Sequence, residues 1–150
     1  MKKTFLAIAL ILSAGISVSL ANDNDNITKS VRSSFTHDFR SAKNIQWEKE
    51  KDFSKATFNI NDQIMFAYYD PSGMLVAVAR NITSDNLPIN LQVDLKNNYS
   101  DYWISDLFET AAHGQTHYYV TLENADQKLI LNATDSNEWS VYKKTKKDIK

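Results

Sequence analysis

The feature that most constrains this 150-residue chain is a pattern written twice along it. A stretch of helical periodicity is followed by four short segments of alternating polarity, and the order restarts about sixty residues later. Phe39 answers to Tyr99 and Trp47 to Leu107. The turn at Asn61-Asp62 answers to Asn124-Ala125-Asp126, and Asp70-Pro71-Ser72-Gly73 to Asp135-Ser136-Asn137-Glu138. The pattern predicts an α+β fold, a tandem repeat of one helix plus four antiparallel strands. The two repeats would span about 27–80 and 87–144 of a single domain, with both helices packed on one face of the sheet.

The local signals behind that expectation are specific. Ile27, Val31, Phe35 and Phe39 recur at four-residue spacing, with Ala42 near the same face, as one stripe of an amphipathic helix does. Asp25 or Asn26 stands where a cap is expected. Leu91, Leu95 and Tyr99 repeat the spacing after Leu87-Pro88, and proline suits the start of a helix because its missing N–H is not needed there. Elsewhere the period is two. Ala56, Phe58 and Ile60 alternate with Lys55, Thr57 and Asn59, and Tyr118, Val120 and Leu122 with His117, Tyr119 and Thr121. Tight turns between such segments require antiparallel neighbours. Phe35, Phe39, Phe58 and Phe66 are the expected stability positions of the first half.

The N-terminus has the build of an export signal. Met1-Lys2-Lys3 is basic, Phe5–Leu12 is apolar, and Ser19-Leu20-Ala21 supplies the small residues that a signal peptidase reads. Cleavage is expected after Ala21, leaving residues 22–150 as a periplasmic or secreted domain with no transmembrane segment. Without Lys2 and Lys3 the chain carries 15 basic and 18 acidic side chains, which is no electrostatic footprint for nucleic acid. It has no cysteine, so packing alone must hold it together.

Several stretches resemble a known family. They are Val31-x3-Phe35-x3-Phe39-x2-Ala42-x-Asn44-Ile45-x-Trp47, Ala67-Tyr68-Tyr69-Asp70-Pro71-Ser72-Gly73, Leu87-Pro88 and Tyr118-Tyr119-Val120-Thr121-Leu122-Glu123-Asn124. Together they resemble the PepSY-like exported bacterial proteins, whose fold is similar to that of beta-lactamase-inhibitory protein. The resemblance implies a binding or inhibitory role and supplies no catalytic residues.

The residues themselves offer little chemistry. His113 and His117 are four apart, a helical metal-pair spacing, but Gly114 lies between them and the segment reads as a loop. Asp23 and Asp25 alternate with asparagines without the glycine and glutamate of a calcium loop. Asp70 and Glu109 stand beside aromatics, and Asp70 reads as a turn cap. No catalytic, cofactor or metal residues are assigned. If Phe58, Phe66, Tyr118 and Val120 face the helices, then Lys55, Thr57, Met65, Tyr69, Arg80, His117, Tyr119 and Thr121 share the other face. Tyrosine and arginine anchor interfaces. The expectation is therefore a non-enzymatic module, monomeric or weakly dimeric. It would engage another exported or envelope protein through Tyr69 and Tyr119, with Lys55, Arg80 and His117 as polar contacts. The alternative is a carrier or enzyme with an enclosed pocket near His113, His117 or Trp103.

Overall fold

The structure is a computed structural model that describes residues 26–135 and 137–147. The expected signal peptide, Met1–Ala21, and the candidate cap Asp25 lie outside the described residues. The elements run α1 (Lys29–Asp38), β1 (Lys43–Lys49), β2 (Ser54–Ile60), β3 (Gln63–Tyr69) and β4 (Leu75–Asn81). A single 3₁₀ turn at Ser84–Asn86 leads to α2 (Ile89–Asn98), β5 (Trp103–Ala112), β6 (Gln115–Glu123), β7 (Gln127–Thr134) and β8 (Ser140–Lys146).

All eight strands belong to one antiparallel sheet, in the order β1 to β8. This corrects the expected tandem repeat of helix-plus-four-strand units. β4 is hydrogen-bonded to β5 like any other neighbour, with Val78 opposite Ala111 and Arg80 opposite Glu109. The architectural unit is therefore one open eight-stranded sheet, with two short α-helices among the described residues.

α1 is shorter than the apolar spacing alone suggests. Thr28 caps it by accepting a hydrogen bond from the Val31 amide at 3.3 Å, so the start falls after Asn26. Phe39 ends it with a non-helical backbone, its amide donating to the Phe35 carbonyl at 2.8 Å. α2 begins at Pro88, whose carbonyl accepts from the Leu91 and Gln92 amides at 3.0 and 3.2 Å.

The register puts Ala56, Phe58, Met65, Ala67, Tyr69, Leu107, Val120 and Leu131 on the sheet face that carries the helices. Under α1 the packing is aromatic. The Phe35 ring lies 5.0 Å from Phe58, 5.1 Å from Trp47 and 5.4 Å from Phe39, mostly edge-to-face or tilted. Under α2 it is aliphatic: Leu87, Leu91, Leu95, Leu107, Val120, Leu122, Leu129 and Leu131 are buried together. Trp139 closes that cluster from the loop before β8, its indole N–H donating to the Leu91 carbonyl at 3.0 Å. No described helix is long and apolar enough to cross a membrane.

Candidate functional site on the open sheet face

The hairpin turns decide which residues the open face displays. Asn61 and Asp62 both have positive φ, 49° and 64°, so Ile60 opposes Gln63 across a two-residue turn. Every pair down the hairpin then follows: Phe58 opposes Met65, and Thr57 opposes Phe66. Directly opposed residues share a face. Phe66 and Tyr68 therefore point away from the helices, whereas Met65 and Tyr69 point toward them. The expected assignment of Phe66 to the helix side, and of Met65 and Tyr69 to the open side, is one residue out of phase.

Three of the five anticipated contact residues share the open face. Lys55 opposes Tyr68, and its ammonium reaches Glu48 at 2.8 Å and lies 5.3 Å from the Phe66 ring centre. His117 opposes Thr134, with Nδ1 3.1 Å from the threonine hydroxyl. Tyr119 opposes Phe108 and Asn132 and stacks edge-on against Tyr142 at 6.2 Å. The other two are elsewhere. Tyr69 is fully buried beneath α1, and its phenol donates to Asp38 at 3.0 Å. Burial first and that hydrogen bond second push its ionisation well above the ordinary phenol range. Arg80 opposes Met65 on the helix-bearing face, where its Nε donates to Glu109 at 2.5 Å. The Tyr118 hydroxyl also donates to Glu109, at 3.4 Å.

The open face has a floor and banks. Its floor is Ala77, Ala79, Thr110 and Ala112, at most 8 % exposed although no described helix covers them. Large rings do that work. Phe66 and Phe108 meet across the Ala79 strand at 6.3 Å, and Phe53 packs edge-on against Tyr68 at 5.7 Å. A methyl side chain on β4 leaves room for the rings to lean together. Tyr68 is 2 % exposed, and burial, then Glu48, raises its ionisation strongly. Tyr119 is raised as well, by burial and then by Tyr142. Phe66, Tyr68, Phe108 and Tyr142 are thus face residues that the sequence reading left out. The two-residue turn was the signal that could have found the first two.

The remaining candidates have structural roles. His113 and Gly114 form the β5–β6 turn, both with positive φ, so His113 and His117 are not a helical pair. Asp70 caps its turn, accepting from the Ser72 amide at 2.9 Å, the Ser72 hydroxyl at 2.6 Å and the Met74 amide at 3.0 Å. Those bonds, the Ser72 hydroxyl foremost, hold its carboxyl below the usual range. Among the described residues no group of three or more His, Asp or Glu side chains is placed to hold a metal.

The same arrangement occurs in solved structures. A protein described as periplasmic from Bacteroides eggerthii matches with a TM-score of 0.70 at 17 % identity, over 79 % of this chain and 88 % of that one. A DUF2874 family protein from Bacteroides uniformis matches with a TM-score of 0.71 at 14 % identity, over 79 % and 88 %. A BLIP-like protein from Bacteroides fragilis matches with a TM-score of 0.68 at 14 % identity, over 79 % and 85 %. The fold is BLIP-like. No family model and no curated protein matches the chain, so the PepSY-like family is not shown. Identities this low speak for the BLIP-like fold alone.

Proposed function

We propose that this protein is an exported, non-enzymatic binding module that engages another exported or envelope protein through the open face of its sheet. One observation carries the reading: the face opposite the helices is walled by Phe66, Phe108, Tyr119 and Tyr142, and no helix or strand among the described residues covers it. Aromatic side chains over a small-residue floor offer large contact area at low entropy cost, the composition of an interface centre. Lys55 and His117 lie among them as polar contacts. Export is supported by the reading of Met1–Ala21 and by the structural neighbour described as periplasmic. An inhibitory role would be one form of such binding.

No observation favours the enclosed-pocket alternative. Recesses lie along α1 and beside α2, and neither is lined by His113, His117 or Trp103.

The test is affinity capture from the native envelope with residues 22–150, followed by the same capture with Tyr119→Ala/Tyr142→Ala. Partners held by the open face disappear from the double variant and persist with Ile89→Ala, which alters the exposed side of α2. Equal recovery with all three proteins would refute the assignment.

A further inference from the structure

The outer side of α1 breaks a rule that helices usually obey. Its first turn carries Lys29 and Arg32 and no acidic residue. Cations there face the positive end of the helix dipole and oppose helix formation. The charge continues: Lys29, Arg32, Arg40 and Lys43 fall within fifteen residues of a chain whose formal net charge is −1. Asp38 is the single carboxylate in that stretch, and it already accepts the Tyr69 phenol at 3.0 Å and lies 3.1 Å from His37. With four cations against one carboxylate, this stretch is basic in a chain that as a whole is not.

Two of these cations, Arg32 and Arg40, border one recess. Arg32, Ser33, Thr36, His37 and Arg40 line an open recess along α1. Arg32, Ser33, Thr36 and His37 lie on α1 at three- and four-residue spacing, and Arg40 follows two residues beyond its end, so the recess presents two guanidinium groups beside hydroxyls and an imidazole. The Arg32 guanidinium lies 6.0 Å from the Trp47 ring centre, which orients it. α2 provides the internal contrast. Its recess is lined by Ile89, Val93, Asp94 and Tyr99 and carries no arginine or lysine among the described residues.

We propose that the α1 groove is a second docking surface, selective for an acidic polypeptide segment. Guanidinium forks match carboxylates bidentately. Among the described residues the groove has no apolar side chain to insert into a bilayer, which separates it from membrane-surface helices that pair cations with bulky apolar residues. The site is independent of the open face, because α1 packs on the other side of the sheet. A protein with both surfaces can hold two partners at once.

The probe is a labelled oligoglutamate peptide, followed by fluorescence anisotropy with residues 22–150. Binding is expected at about 0.1 M salt and lost near 1 M, where exposed charges are screened within a few ångströms. Each guanidinium contributes about threefold, so Arg32→Gln/Arg40→Gln should weaken binding about tenfold. Arg40→Gln/Lys43→Gln removes two exposed cations without touching Trp47, and should weaken it similarly if the first variant folds poorly. Lys143→Gln/Lys144→Gln, on the exposed β8 edge, should leave affinity within about twofold. Tyr119→Ala/Tyr142→Ala should not change it, so failure of either surface is distinguishable from failure of the other. Three results would overturn the proposal: no peptide binding at low salt, equal loss with the β8 variant, or tighter binding to anionic vesicles than to the peptide.

Discussion

The two faces of the sheet are closed by opposite means. On the helix-bearing face large side chains are trapped between layers: Phe35, Phe58 and Tyr69 under α1, and Leu91, Val120 and Leu131 under α2, none more than 3 % exposed. On the open face the described residues form no second layer, and burial is achieved by subtraction. Ala77 and Ala79 are so small that Phe66, Tyr68 and Phe108 fold over them. Beneath the helices the first face is filled. The second holds its rings at the surface, where a partner can cover them. The comparison teaches that burial alone does not identify a core, since an alanine 1 % exposed can be the floor of an interface.

The largest effect should come from the layered face. Phe58→Ala removes a ring that is fully buried against Phe35 and Phe39, and should cost about 3–5 kcal/mol in denaturant unfolding. Phe66→Ala, on the open face and only partly buried, should cost about 1–2 kcal/mol. Equal losses would mean that the open face is as much a core as the other. A reciprocal experiment adds volume instead. Ala79→Leu places a branched chain beneath Phe66 and Phe108 and should cost about 1–3 kcal/mol. Ala111→Leu, at an exposed position on the helix-bearing face, should stay within about 0.5 kcal/mol.

A finer measurement separates the layers by a single oxygen. Tyr69→Phe deletes the hydroxyl that donates to Asp38 and keeps the ring in place against Phe35. It should cost about 1 kcal/mol, the usual net contribution of one such bond. A loss near that of Phe58→Ala would show that the α1 layer depends on this polar tie more than on its rings.

Much of this was legible in the residues, and the exceptions have causes. Four-residue spacing correctly marked Val31, Phe35, Leu91 and Leu95 as buried, because a helix against a sheet can hide only one stripe. Alternation marked Tyr118, Val120 and Leu122 for the same reason. The join between β4 and β5 was not legible. Their pairing is separated by a connection holding a 3₁₀ turn and α2, and no local turn chemistry specifies a contact across it. The pattern therefore read as two units where one sheet stands. Tyr69 was misplaced although its signal was present, since a two-residue turn at Asn61-Asp62 already sets the parity of β3. Ala77 and Ala79 carried no signal, because an alanine in a strand looks the same whether rings lean over it or not.

The smallest effect concerns two consecutive residues on opposite faces. Tyr68 and Tyr69 both ionise well above the ordinary phenol value of 10.0, in each case chiefly because burial disfavours the anion. A raised native value means that the folded protein keeps a proton that the unfolded chain releases. The contribution is complete below pH 10.0 and is lost as the pH rises through the native value. Stability should therefore fall with increasing pH above 10.0, seen as a declining denaturation midpoint. Tyr68→Phe and Tyr69→Phe should each flatten part of that decline. If only Tyr69→Phe does so, the open face is wetter than its buried Tyr68 indicates, and the two faces differ in dryness as well as in packing. If both do so equally, rings leaning over alanines exclude water as well as a helix does, and the two faces differ in what they leave at the surface and not in how dry they are beneath it.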